Sequence, residues 1–322
     1  MSKAAKVSLQ PFDPQHYLAF VRLWNYAYPH LKTTSTNFRL QDIYAPAGFQ
    51  QKRWLAVENG VIVGFGGYEN LRDEDFNPRQ FRLHIVVNPA SEGQGIGQAL
   101  ISQVLTELKQ INALDAGVLV CLEREQSVGF ALRNGFQGEI EWYLSRINLE
   151  TFAIPHYDKL AAQWQRDGIT FVPFSELAGE TGAGRKLYEL FSAVRNDTPS
   201  SSDAMTLPPL EEFVENIRRQ PRQYEGYFIA LHEGRFVGLG VLSRKPHNDE
   251  ELHNDILGVL PEYRRQGVSL GVIARAIEWA RSCGYIYATA ENAASNKAVI
   301  PLMEMVGFQR QASWQLFRKV FE

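Results

Sequence analysis

An internal repeat constrains this chain more than any other feature. "LHIVVNPASEGQGIGQALI" at 83–101 aligns with "DILGVLPEYRRQGVSLGVI" at 255–273. Val87 and Val259, Pro89 and Pro261, and Gly95 and Gly267 each stand 172 residues apart. "NGFQ" (134–137) meets "VGFQ" (306–309) at the same offset. Upstream, "LAVENGVIVGFGG" (55–67) resembles "IALHEGRFVGLGV" (229–241), with Gly60 and Gly64 matching Gly234 and Gly238 at an offset of 174. A shared order of elements over this length means one unit built twice. A chain of 322 residues suits two cores of roughly 150 better than one. The expected organisation is a first copy over 1–150, a connector with a short helix over 151–168, and a second copy over 169–322. The polar, proline-rich stretch 196–210 reads as a loop inside the second copy.

Both copies give the same coarse pattern. A short strand at 7–9 precedes a helix over 13–28, with Asp13 as N-cap and Pro14 at its first position. A hairpin turns at Asn59-Gly60. A long central strand (79–87) runs to Pro89, which gives no ladder donor. Ile96, Leu100, Val104 and Leu108 then recur every four residues, as do Val268, Val272, Ala276 and Ala280. That period is helical. A buried strand (116–122), a short helix (127–134) and a closing strand (139–150) complete the copy. The fold class is mixed α/β, a mostly antiparallel sheet flanked by helices.

Between each proline-stopped strand and its helix lies a glycine-bearing turn. Free N–H groups at a helix start, with the helix dipole, favour an anion. Glycines permit the tight turn and clear side chains from the ligand's path. A P-loop requires Gly-Lys-Ser/Thr, which neither copy has, and a dinucleotide loop requires G-x-G-x-x-G after a first strand, whereas these turns follow a fourth. The order V-x-P, spacer, G-x-G and amphipathic helix, with a hairpin before it and Gly-Phe after a second helix, resembles motif A of the GNAT superfamily of acyl-CoA-dependent N-acyltransferases. The resemblance covers both halves and implies a tandem member.

By that resemblance the turns hold the pyrophosphate of acetyl-CoA. The positions are Glu92, Gly93, Gln94, Gly95, Ile96 and Gly97 in the first copy, and Arg264, Arg265, Gln266, Gly267, Val268 and Ser269 in the second. Val86 and Val87, and their matches Gly258 and Val259, lie where strand backbone would meet the pantetheine arm. Asn292 and Asn296 stand before the last helix, where a family asparagine contacts pantetheine or caps the helix. The family's thiolate-protonating tyrosine is replaced by Ala131 and Met303. His253, Asp255 and Asn292 are the catalytic candidates, and His84 stands in the central strand of the first copy. The second copy, with its arginines and asparagines, is expected to be the working one. The implied reaction is direct acetyl transfer to a small-molecule or peptide primary amine, since no cysteine stands in either motif to carry the acyl group. The alternatives are a binding or structural pair of copies without chemistry, and a hydroxyl or hydrazine acceptor.

Composition bounds the partners. A net charge of −3 argues against general nucleic-acid binding, and no metal site is implied by two cysteines. The start lacks the apolar core of a signal peptide, and no apolar run approaches the roughly 20 residues that span a bilayer. The expectation is a cytoplasmic monomer or homodimer.

Overall fold

The computed structural model describes residues 7–29, 32–46, 48–70, 77–196, 207–219, 224–245 and 248–321. Most of the 196–210 loop lies outside the described residues. The chain divides into two compact units: residues 1–139 with 315–322, and residues 140–314.

The first unit runs β1 (Ser8–Pro11), α1 (Tyr17–Ala27), α2 (Ser35–Ile43), β2 (Gln51–Glu58), β3 (Val61–Asn70), β4 (Gln80–Val87), α3 (Ile96–Gln110), β5 (Asp115–Cys121) and α4 (Glu125–Arg133). Asp13 accepts the Gln15 amide, as the expected cap, but Pro14–His16 forms a 3-10 turn before α1. Helix α2 had no clear signal in the sequence; only its Phe38 is buried. The next strand, β6 (Gln137–Asn148), crosses the division between the units. The second unit continues with α5 (Tyr157–Arg166), β7 (Ile169–Pro173), α6 (Phe174–Leu177), α7 (Ala183–Asn196), α8 (Leu210–Arg219), β8 (Tyr227–His232), β9 (Arg235–Lys245), β10 (Asn248–Val259), α9 (Val268–Ser282), β11 (Tyr287–Ala293), α10 (Val299–Met305) and β12 (Gln309–Val320).

In the first unit the strand order is β1-β2-β3-β4-β5, and the last residues of β12 lie beyond β5. There the Phe321 amide donates to the Leu114 carbonyl, and Arg318 pairs with Asp115. In the second unit the order is β6-β11-β10-β9-β8-β7. From Trp142 to Asn148, β6 pairs antiparallel with β11. The compact units therefore differ from a cut near 150. The strand that closes the first copy in sequence belongs, from Ile140, to the second unit, and the chain's last residues belong to the first. Which strand completes a sheet edge is decided by pairing, and a distant segment serves as well as a neighbour.

The sheets are mixed. β4–β5 and β10–β11 are parallel, whereas β1–β2, β2–β3, β3–β4, β6–β11, β7–β8, β8–β9 and β9–β10 are antiparallel. The periodic helices bury the face the sequence assigns: Ile96, Leu100, Val104 and Leu108 on α3, and Val268, Val272, Ala276 and Ala280 on α9, all buried. Burying a Leu, Val or Ile side chain stabilises by roughly 1.5–3 kcal/mol. Each helix sits close on a glycine of the preceding hairpin. A methyl at Gly66 would come within 3.1 Å of Leu100, and one at Gly240 within 2.7 Å of Val272. The repeat is thus a repeat of contacts. Among the described residues, no helix is long and apolar enough to cross a membrane.

The feature that positions the site is a gap in each sheet. β4 pairs with β5 only from Gln80 to Leu83, and β10 with β11 only from Glu251 to Asn254. Beyond those points β4 stays on β3 to Val87, and β10 on β9 to Val259. Alternate backbone groups of both strands then face the gap rather than a partner.

Candidate functional site

Each gap ends at a glycine turn, and the two turns share one backbone. Pro89–Ser91 and Pro261–Tyr263 form 3-10 turns. Left-handed residues follow at matched places: Gly93 (φ 75°) and Arg265 (φ 60°), then Gly95 (φ 82°) and Gly267 (φ 72°). Gly95 and Gly267 cap α3 and α9. Arg265 adopts a conformation that costs a non-glycine residue about 1 kcal/mol, yet the turn keeps it. Ile96 and Val268 are buried, so only their backbone can face a ligand.

The surroundings differ. A Cβ added at Gly93 or Gly95 would meet nothing within 4 Å, and Glu92 and Gln94 are exposed beside them. At Gly267 it would lie 2.9 Å from Leu160 and 3.5 Å from Trp164 of α5. The Trp164 indole N–H donates to the Gln266 carbonyl at 3.1 Å. The other flank of this turn carries the exposed Arg264 and Arg265. The first turn offers open space and bare amides; the second offers guanidinium groups and one apolar wall. Both backbones fit a pyrophosphate: a chain of amides at a helix start, with no Cβ where the turns are left-handed apart from that of Arg265.

Beside the gap of the second unit, β10 carries a bulge. Its register steps from Asn254↔Leu242 to Ile256↔Val241, leaving Asp255 as the extra residue. In the first unit the matching strands run unbroken, with Tyr68↔Leu83 followed by Gly67↔His84. His253 therefore corresponds to Arg82 and Ile256 to His84, while Asp255 has no counterpart. Its Oδ1 accepts the Ser243 hydroxyl at 3.0 Å. Water reaches the carboxyl, but protein crowds it on most sides. Burial pushes it up to about 6, with the Ser243 hydroxyl pulling the other way. His253 is half-buried, its Nδ1 3.2 Å from Thr289 Oγ1. The Thr289 hydroxyl donates to the Leu252 carbonyl, so His253 is assigned the Nδ1–H form. Burial, then Lys245, depresses it to about 4, with Glu251 opposing. At neutral pH it is uncharged. On β11, Glu291 is likewise pushed up by burial, with Lys245 opposing.

Asn292 is half-buried on the strand face opposite Glu291, the face of the buried Ala288 and Ala290. Asn296 is buried and its Oδ1 accepts the Val299 amide at 3.2 Å, a capping contact for α10. Val86 is buried and Val87 half-buried along the first gap. Along the second, Val259 is buried, and a methyl at Gly258 would strike Val194 of α7 at 2.3 Å. Ala131 and Met303 are core residues.

The matching face of the first unit is packed with rings. Phe20 lies 4.4 Å from Phe65 and 5.0 Å from Phe38, centroid to centroid, and Trp24 lies 4.7 Å from His84. His84 contacts Tyr28 Oη at 3.3 Å and Glu69 Oε1 at 3.4 Å. Burial pushes the Tyr28 phenol up to about 12. Aromatic packing takes up the space beside this strand.

Two glycine turns of one backbone, each ending a gapped mixed sheet, are thus present in one chain. The sequence model of the acetyltransferase (GNAT) family matches residues 17–136 and again 186–308. The chain belongs to the GNAT acetyltransferase family. Solved structures agree on the fold. A GCN5-related N-acetyltransferase from Sphaerobacter thermophilus is similar with a TM-score of 0.70 at 15% identity, over 98% of this chain and 95% of that one. A tandem GNAT protein from the clavulanic acid biosynthesis pathway gives 0.65 at 14% identity, over 98% of both chains. A GCN5-related glucosamine N-acetyltransferase region of a fungal multi-domain β-N-acetylglucosaminidase gives 0.68 at 15% identity, over 98% of this chain and 38% of that one. No curated protein matches by sequence.

In this tandem GNAT chain, sequence reasoning did not single out Ser243, Glu291, Leu160 or Trp164. One signal was legible. "HND" at 253–255 puts three polar residues in a row in a strand, which breaks alternation where the bulge lies.

Proposed function

We propose that the second copy transfers an acetyl group from acetyl-CoA directly to a primary amine, with Asp255 as general base. The observation that carries this is the bulge. It sets a water-accessible carboxylate beside the gap of one copy and has no equivalent in the other. When bound, acetyl-CoA supplies an activated acyl carbon on a sulfur leaving group. The turn amides with Arg264 and Arg265 would hold its pyrophosphate, and the backbone of β10 beyond Asn254 would align its arm and polarise the carbonyl.

As the new C–N bond forms and the C–S bond breaks, the nitrogen sheds a proton that Asp255, ionised above about pH 6, can accept. His253 is a weaker choice, being uncharged but far too acidic when protonated. The electron pair leaves on sulfur. A thiol with an ordinary value near 8.5 leaves as thiolate without a dedicated acid, which accommodates Met303 in place of tyrosine. The first copy, with its open turn and ring-packed face, is read as binding acyl-CoA or supporting the fold without chemistry. The acceptor is a small-molecule or peptide amine.

The test is free-thiol release from acetyl-CoA over a panel containing an alkylamine, a diamine, an amino sugar and a peptide N-terminus. Asp255→Asn should lower kcat/KM about 100-fold or more while acetyl-CoA still raises the melting temperature. Full activity in that variant, or no thermal shift with either acetyl-CoA or free CoA, would sink the proposal.

A further inference from the structure

We infer that Ser243 is the positioning residue for the Asp255 carboxylate, fixing one oxygen and leaving the other for the acceptor. The inference rests on the reading of Asp255 as base. A residue on a bulge is not held by the ladder, so its side chain lacks the support its neighbours have. Ser243 is not the ladder partner of Asp255; it faces His253. Its hydroxyl nonetheless crosses to Asp255 Oδ1 at 3.0 Å. Among the described residues, Oδ2 accepts no hydrogen bond and no cation pairs with the carboxyl. One oxygen is anchored and the other open. In the first copy the place of Ser243, by register, is held by Glu69, which contacts His84 and Arg53 instead. The serine and the extra aspartate occur together in one copy only.

The neighbouring strands carry Tyr227 on β8, Lys245 on β9, Glu251 and His253 on β10 and Glu291 on β11. Lys245 pairs with Glu251, and both act on His253. Tyr227 feels Asp255, but its phenol is pushed above the ordinary range first by burial. Ser243 is the side chain that bonds the carboxyl directly.

A hydroxyl donated to a carboxylate favours the charged form. The experiment follows the ascending limb of kcat/KM against pH by thiol release. In parallel, carbon-13 NMR follows the aspartate carboxyl titration, with Asp255→Asn assigning the signal. Ser243→Ala should move limb and NMR midpoint upward together by roughly 0.5–1 pH unit, and Ser243→Thr should restore both. If Ser243→Ala overlays the wild type while Asp255→Asn abolishes activity, Ser243 has no positioning role and Asp255 stands without it. If Asp255→Asn stays active, the base assignment falls, and the role given to Ser243 falls with it.

Discussion

The turns at 91–97 and 263–269 have the same left-handed positions and cap helices of the same length, yet they stand in different company. The first is glycine-rich, exposed and backed by a ring-packed face. The second tolerates an arginine in a left-handed conformation, leans on α5, and lies beyond a bulge that the first copy lacks. The more glycine-rich cradle and the bulged strand with its extra carboxylate are therefore in different copies. Backbone geometry is what a repeat preserves; side-chain surroundings are free to diverge once the turn is built.

That contrast can be attacked in order of expected effect. Gly267→Ala must hold a left-handed alanine and crowd Leu160, so it should lose about 2 kcal/mol of stability. Gly95→Ala meets open space and should lose about 1. Equal losses in urea denaturation followed by tryptophan fluorescence would mean that α5 does not distinguish the turns.

Next comes pH. The Asp255 carboxyl is raised when folded, so its favourable contribution is complete below about pH 4 and is lost as pH climbs through 6. Asp255→Asn should therefore be the more stable protein at pH 7.5, by about 1 kcal/mol after allowing for water access, and equal to wild type near pH 4. His253 runs oppositely. Its folded value is depressed to about 4, so its contribution is complete above 6.5 and is lost as pH falls, a slope that His253→Gln should remove. Thermal melts across that range in both variants check the two signs.

The smallest effect comes from exchanging residues between turns. Arg265→Gly should gain about 0.5 kcal/mol by relieving the left-handed arginine, and Gly93→Arg should lose a similar amount. The acetyl-CoA-induced thermal shift should fall in the first variant and rise in the second. A shift that moves the same way in both would break the idea that the turns are interchangeable backbones.

Much of this was legible in the chain. Pro89 and Pro261 end their strands because they cannot donate to the ladder, and the four-residue period of α3 and α9 named the buried positions correctly. The turns were placed by their glycines, and the repeat required two of them. Asp255 was a candidate for its polarity, but the sequence alignment set it against Leu83; only the register shows it to be an inserted residue. Asn296 carried two readings, and the structure shows its side chain engaged with the Val299 amide.

The local rules settled what depends on near neighbours: turn torsions, helix period, strand ends, and the doubling of the whole pattern. Tertiary structure alone decided the rest. It assigned β6 to β11 and the last residues of β12 to the edge of β5, filled one face with Phe20, Trp24 and His84, and brought Ser243 across a bulge to Asp255. Those outcomes turn on which distant strands pair and in what register, and a one-residue shift redirects every side chain beyond it.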